Sequence, residues 1–460
     1  MSSLFGSMSI ATGSLLTEQA AIGVTANNVS NINSPGYSRQ RPDIQEGAAY
    51  FNGSQMIGTG VDLAGITSVR DNVLELRIQD EMQQQGSLQA QVDSLSDVDL
   101  QFSTENANIG DALNSFFDSL SNLSPDPSNS SLRQSVLVSA QDLVNQFQST
   151  SNMLTQRQFN LDLQVQQAVG QVNQITAQVA DLNQKIATSG MPQDQLGEYV
   201  DQRNVLLQNL SSLIGNQVIT ADDGLTVTAS DGTALVVGGR CFAVDYSEAA
   251  NGNPQISVGG HDLTNSTSGG SIAGLLQVRN QVIPGILSNL DSIASNLVAS
   301  VNTVHEQGYD MNGNTGADFF KPLAAGGAGA AASIALNITD ASQIATSSDG
   351  TSGSNGNLNS LIDLRNQGII NGITPTDAYS NLTFQVGSTL SNAQSNLQSS
   401  EAMVQQLNDQ RGAISGVSLD EEASNLIQYQ RAYEAAARVL NIISDLTQVS
   451  VNLGNSSATV

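Results

Sequence analysis

SLDEEASNLIQYQRAYEAAARVLNIISDLTQVSVNL, residues 418–453, carries the repeat that decides the class of fold. Leu419, Leu426, Tyr433 and Leu440 are spaced by seven, and Ala423, Tyr429, Ala436 and Ile443 fill the gaps. Leu446, Val449 and Leu453 continue the stripe. A narrow apolar stripe of this period is an amphipathic helix that packs on one or two partner helices. Ser418, with Glu421 three residues on, reads as a capping box at its start.

The other end of the chain mirrors this pattern. Met8, Leu15, Ile22 and Val29 are spaced by seven, with Leu4 and Ala11 in the second seam position. This helix is expected to stop near Asn31–Asn33, because Asn tolerates left-handed backbone and Pro35 turns Ser34 away from helical angles. Pro35-Gly36 suits the centre of a type II turn. TANNVSNINSPGYSRQRP, residues 25–42, is thus a polar hinge between a packing helix and whatever follows.

Between the ends, apolar periodicity predicts helices over about 68–103, 109–123, 130–188, 193–214, 276–307 and 376–412. Val165, Val169, Val172, Ile175, Val179, Leu182 and Ile186 mark the clearest run, closed by Gly190 and Pro192. A periodic run this long implies a rod-like bundle. Two stretches break the pattern. Residues 217–246 alternate β-branched runs with Asp-Gly and Gly-Gly turns and read as hairpins continuing to about 265. Residues 323–375 are rich in Gly, Ala, Ser and Asn and read as an irregular or partly β insert.

The expected fold is mainly α with β-rich insertions (α+β). Residues 1–38 with 416–460 would form a terminal-helix domain. Residues 39–216 with 271–322 and 376–415 would form a helical rod-like domain. Two inserts, 217–270 (β-rich, outer) and 323–375 (irregular), interrupt the rod. Terminal helices with narrow seams are marginal alone, since packing supplies most helix stability. They are expected to be largely disordered in the free chain and to order by self-association or co-polymerisation. A purely intramolecular bundle is the other way to bury the seams.

Composition narrows the partners. The 460 residues leave room for about two to four domains. The formal net charge is −27, from 42 Asp+Glu against 15 Lys+Arg, which repels phosphate backbones and argues against nucleic acid. No run approaches the ~18 consecutive apolar residues of a membrane span. The first basic residue is Arg39, so MSSLFGSMSIATGSLLTEQAAIG lacks the basic start of a secretory signal. Cys241 is the single cysteine, which excludes an internal disulfide and a Cys-based metal site.

Four blocks carry a resemblance. ANNVSNINSPGYSRQ (26–40) is similar to the N-terminal signature of the bacterial flagellar rod, hook and hook-associated protein family. In it Asn27, Asn28, Asn31, Pro35, Gly36, Tyr37, Ser38, Arg39 and Gln40 match the motif. YVDQRNVLLQNLS (199–211), VNTVHEQGYDMNGNTGADFF (301–320) and SGVSLDEEASNLIQYQRAYEAAARVLN (415–441) resemble, in order, the middle, later-helix and C-terminal blocks of the family's hook–filament junction members. The likeness is weakest in 217–270 and 323–375. It implies that helices from both chain ends form an inner-tube domain, with an outer helical domain and variable surface domains. It implies unfolded export through the flagellar type III secretion channel, with a cytosolic chaperone holding the C-terminal helix. The protein would then be extracellular, in the thin zone joining hook to filament. It would meet the hook protein, a second junction protein and copies of itself, and catalyse nothing. No cofactor, metal, nucleic acid or membrane is implied. Another axial role, as hook or filament subunit, is the alternative; an extracellular binding or enzymatic module on the 217–270 insert is a more distant one.

The remaining polar residues have plain readings. Asp310, Asn312, Asn314 and Asp318 resemble a calcium loop, but Thr315 stands where its Gly should be and Lys321 where its Glu should be, so a turn after a helix is expected. His305 and His261, the two histidines, have no nucleophile placed beside them. Cys241 is expected to be a small buried side chain in a strand. Asp222-Asp223-Gly224 and Asp231-Gly232 read as hairpin turns, or else a surface cation site. Arg39 and Arg41 are either a solvated pair or a contact to an acidic neighbour in an assembly. Tyr37 is either a packing anchor or an intersubunit contact.

Overall fold

The structure, a computed structural model, describes residues 2–52, 55–102, 108–191, 195–221, 224–250, 252–324 and 326–456. Helix α1 (Ser2–Ser30) leads into two antiparallel strand pairs, β1 (Gln40–Glu46) with β4 (Val61–Ser68) and β2 (Tyr50–Asn52) with β3 (Gln55–Ile57). Four helices follow: α2 (Asn72–Phe102), α3 (Ile109–Leu123), α4 (Ser130–Thr188) and α5 (Gly197–Leu213). Asn and Thr caps start several of them. The Asn108 side chain accepts from Asp111 N for α3, and that of Asn129 from Ser131 N and Leu132 N for α4. The 59 residues of α4 make a helix about 90 Å long at ~1.5 Å per residue.

Seven strands then form two antiparallel sheets against the distal part of α4. One runs β5 (Asn216–Ala221), β6 (Gly224–Ala229), β7 (Ala234–Val237), β8 (Arg240–Cys241). The other has β10 (Pro254–Val258) between β9 (Val244–Glu248) and β11 (His261–Asp262). The chain returns through α6 (Gly270–Gln277), a π-helical turn (Val278–Val282) and α7 (Ile283–Glu306). Short helices α8 (Ala330–Ser333) and α9 (Gly356–Asp363) precede α10 (Pro375–Ser415) and α11 (Leu419–Ser456).

The helices expected from periodicity are all present. α6 starts six residues before the expected 276, at Gly270, where Gly269 and Gly270 supply positive φ (86° and 71°). Pro192, Asp222 and Asp223 lie outside the described residues. Three expectations change. The start of the region assigned to the helical rod holds strands instead, at Gln40–Glu46, Tyr50–Asn52, Gln55–Ile57 and Val61–Ser68. The 323–375 insert holds short helical turns, its β character among the described residues being isolated bridges such as Phe320↔Leu336. The helical segment Gly270–Glu306 does contain an 18-residue window of membrane-like mean hydropathy (1.2). Its apolar stripe, Ile286, Leu290, Ile293, Leu297 and Val301, is buried in the protein core.

That core fills the space between α2, α3, α4, α7 and α10. Phe116, Phe117, Phe319 and Phe320 are fully enclosed and meet tilted or edge-to-face, with centroids 4.9–6.2 Å apart. His305 joins them edge-on to Phe319. Its Nδ1 lies 2.5 Å from Ala317 O, and its Nε2 accepts from Ala345 N. The ring is therefore the neutral Nδ1–H tautomer, and burial lowers its proton affinity. His305 is a satisfied core residue, with no proton left to exchange with a substrate.

Candidate functional site

The residues of the 25–42 hinge gather at one place, where α1 ends, β1 begins, and α5, α10 and α11 converge. Asn28 is the centre of it. This side chain is 1% exposed and uses its whole hydrogen-bonding capacity. Its Nδ2 donates to Gln40 O (2.8 Å) and Glu422 Oε2 (3.2 Å), across 394 residues of sequence in the second case. Its Oδ1 accepts from the Tyr37 hydroxyl (2.8 Å) and Gln40 N (2.9 Å). Asn27 and Asn31 bond each other (2.7 Å), and Ser34 Oγ donates to Asn31 Oδ1. Asn27 and Asn31 thus serve as local partners where α1 ends, while Asn28 ties the turn to α11.

Gly36 sits in that turn at φ 77°, and Tyr37 N donates back to Ser34 O, as a type II turn requires. A Cβ on Gly36 would lie 2.2 Å from Val205 Cγ2 of α5. Both the conformation and the close approach need glycine here.

The next three residues fasten the hinge to the body. Ser38 donates from its backbone N and its Oγ to Asp201 of α5 (3.0 and 2.7 Å). Arg70 completes the cluster, pairing with Asp201 (2.8 Å) and donating to Gly197 O (2.7 Å). Arg39 reaches the start of α11, with Nε on Glu422 (2.8 Å) and Nη1 on Glu421 (2.6 Å). Its backbone N donates to Ser415 O, at the end of α10, and its own carbonyl accepts from Val69 N. Tyr37 lies between the two carboxylates; burial, Asp201 and Glu422 together push its hydroxyl up to about 12. It therefore stays a hydrogen-bond donor to Asn28 at any physiological pH.

Two readings change accordingly. Arg39 has acidic partners inside its own chain and is only partly solvated. Glu421 turns its carboxylate to Arg39, while Ser418 Oγ accepts from Glu421 N at 3.5 Å, one half of the expected capping box. Tyr37 is a packing anchor. Asp201, Arg70 and Glu422 are not singled out by the sequence, and Glu421 is singled out there only as a helix-capping residue. Asp201 and the two Glu lie within blocks 199–211 and 415–441, which was the available signal.

The terminal helices run antiparallel as a packed pair: Asn28, near the end of α1, bonds Glu422, near the start of α11, and Glu18 lies beside Tyr429. The Asn28 and Arg39 contacts join the pair at one end. What α1 buries is small or polar: Ala11, Thr17, Ala21, Val24, Thr25 and Asn28. Of the expected α1 seam, only Ala11 is buried; Leu4, Leu15 and Ile22 are half-buried, and Met8 and Val29 are exposed. On α11, Ile443 is buried, Leu426, Tyr429 and Leu440 are half-buried, and Leu419 and Tyr433 are exposed. Each helix thus has a second apolar stripe facing outward.

The other candidates are structural. Asp310 accepts from the backbone of Asn312 and Asn314 and closes a turn. Asp231, in the β6–β7 turn, bonds Thr233 N, His261 and Ser266. Cys241, expected to be buried, is exposed, because β8 is a two-residue edge strand. Among the described residues no group of three or more His, Cys, Asp or Glu is arranged to hold a metal.

Comparison with known proteins agrees with this architecture. The family model described as flagellar hook-associated protein FlgK helical domain matches residues 95–320. That for the C-terminal region of flagellar basal body rod FlgEFG proteins matches residues 410–453. The chain is 28% identical to flagellar hook-associated protein 1 of Bacillus subtilis (strain 168), covering 98% of this chain and 99% of that one. It is 25% identical to the protein of the same name from Escherichia coli (strain K12), covering 98% and 100%. The solved structure of the flagellar hook junction protein FlgK from Burkholderia pseudomallei has a like fold, with a TM-score of 0.68 at 17% identity over 74% of this chain and 100% of that one. By these matches the chain is similar, over nearly its whole length, to flagellar hook-associated protein 1, with residues 95–320 matching the helical-domain model of that protein.

Proposed function

We propose that this chain is the structural adaptor of the hook–filament junction, assembled by packing of its terminal helices against neighbouring axial subunits. The observation that carries this reading is the outward apolar stripe of the α1–α11 pair. Phe5 and Leu16 on α1 are 60% and 63% exposed; Ile427, Ile442, Leu446 and Val449 on α11 are 52%, 58%, 52% and 55% exposed. A row of large apolar side chains held in water on both helices favours burial between subunits. In this reading residues 1–38 with 416–460 line the inner tube, the helical body lies outside them, and the sheets of 217–270 face outward. The neighbours are copies of the same chain, the hook protein below and a second junction protein above.

Export follows the same logic. The flagellar type III channel takes the chain unfolded, and a cytosolic chaperone covers the apolar α11 until secretion. The role is structural, with no chemistry on a substrate.

Deleting the gene and imaging the cells tests this. Hooks without filaments, with filament subunits shed into the medium, are expected. Complementation by a chain carrying Leu446→Asp and Val449→Asp should leave the same phenotype although the protein still folds. Normal filaments in the deletion strain would refute the junction role. Normal filaments with the double variant alone would refute assembly through α11.

A further inference from the structure

Glu18 stands in the middle of α1 and is the only charged side chain of that helix. It lies seven residues after Ala11 and seven before Thr25, which are 3% and 2% exposed, so it belongs to the face that α1 turns towards its packing partners. Tyr429 of α11 is close enough for the Glu18 charge to raise its hydroxyl. The Glu18 side chain is half-buried, and its Oε2 is closed off from solvent with no donor on it. A buried carboxylate oxygen without a donor costs free energy for as long as the group is ionised.

No cation offsets that cost. The described residues include all 15 Lys and Arg of the chain, and none of them forms an ion pair with Glu18. α1 packs on α11, β1 and β4. Beside this stretch of α1 the ionisable groups on those elements are Tyr429 and Glu422 of α11, Arg41 and Asp43 of β1, and Asp62 of β4. Arg431, two residues on from Tyr429, is turned to the opposite side of α11 and exposed. None of these charges shifts Glu18: burial alone raises its carboxyl above the ordinary 4.5.

We infer that Glu18 makes closure of the α1–α11 pair sensitive to protons: ionised, it loosens the middle of the pair, and protonated, it lets the two helices close. The folded chain holds this proton more tightly than the unfolded one, so acidification favours the closed pair. The gain begins as pH falls through the folded-state value and is complete below 4.5. The polar joint fastens only one end of the pair, so the change is confined to the stretch around Glu18 and Tyr429 and leaves the body as it was. The effect belongs to the single chain and does not depend on what covers the outward face of the pair.

Hydrogen exchange on the purified full-length chain, read as protection factors for the amides around Glu18 and Tyr429, tests this at about pH 7 and about pH 5. Wild-type protection in both stretches should rise about two- to tenfold on acidification. Glu18→Gln keeps the size of the side chain and removes its charge. It should show the higher protection already at neutral pH and respond less to acid. Gln19→Glu adds a carboxylate at the neighbouring exposed position and should keep the wild-type response, which separates the Glu18 site from net charge. Carbon NMR of the Glu18 carboxyl gives a second readout, with a midpoint expected above 4.5. The same pH response in wild type and Glu18→Gln, a response altered as much by Gln19→Glu as by Glu18→Gln, or a Glu18 midpoint at or below 4.5 overturns the inference.

Discussion

The body and the terminal helix pair read alike as apolar stripes but spend them differently. In the body, Phe102, Phe116, Phe147, Leu113 and Ile109 are all enclosed to within 1%. On α1 and α11 the buried apolar residues are Ala11, Ala21, Val24 and Ile443, while Phe5 and Leu446 stand 60% and 52% exposed. A bundle surrounds each helix with neighbours on several sides. A pair leaves each helix one covered face, and small side chains suffice for it. The ends of the chain are therefore held less by apolar burial than by a polar joint at one end of the pair, and their large residues remain available.

That contrast can be broken most directly in the core. Phe116→Ala should lower the unfolding free energy by about 3–5 kcal/mol in a denaturant titration. A much smaller loss would mean that the body is no better packed than the termini. The joint comes next. Arg39→Ala leaves the Glu422 carboxylate, 2% exposed, without its cation, at a cost of about 1–3 kcal/mol, discounted because Arg39 itself is partly solvated. Hydrogen exchange should localise that loss to α1 and α11. If exchange instead speeds up evenly through α2–α10, the joint is part of the body and the division fails.

Gly36→Ala should cost about 1–2 kcal/mol through positive φ, plus whatever Val205 must yield. Adding Val205→Ala should recover the steric share but not the backbone share; full recovery would show that the turn tolerates alanine. His305 gives a smaller, pH-dependent effect confined to the body. Its folded-state proton affinity lies below the unfolded value of 6.5, so the unfolded chain binds more protons. Its contribution is therefore complete above pH 6.5 and is lost as pH falls below that value. The fall in unfolding midpoint between pH 7.5 and 5.5 should be steeper for the wild type than for His305→Gln. The smallest effect on stability is expected from Leu446→Ala, under about 0.5 kcal/mol in the single chain. If it destabilises the monomer as Phe116→Ala does, the outward stripe is already covered.

The joint also shows what could be read early. Asn28, Gly36, Tyr37 and Arg39 stood out because their residue types fit a helix stop and a type II turn, local matters of backbone conformation. Their partners did not, because Glu422 and Asp201 are 383 and 163 residues away from the groups they bind. The β1–β4 ribbon was missed for a similar reason. QRPDIQE and VDLAGITS carry Pro42, Gly65 and scattered acids with little β-branched density, and they form strands because each pairs with the other beside α1. Cys241 was misplaced because strand burial depends on sheet position, which an edge of two residues does not announce.

By itself the sequence determined the number, kind and length of the long helices, the place of the outer hairpins and the turn that ends α1. Those follow from side-chain period and local dihedral preference, which act within a few residues. Only the tertiary structure decided which stripe of α1 turns inward and that Arg39 is neutralised within its own chain. It also decided that Arg203 is buried against Asn183. Those depend on which surfaces distant segments bring together, and a one-dimensional pattern of apolar and polar residues does not rank two stripes of similar character.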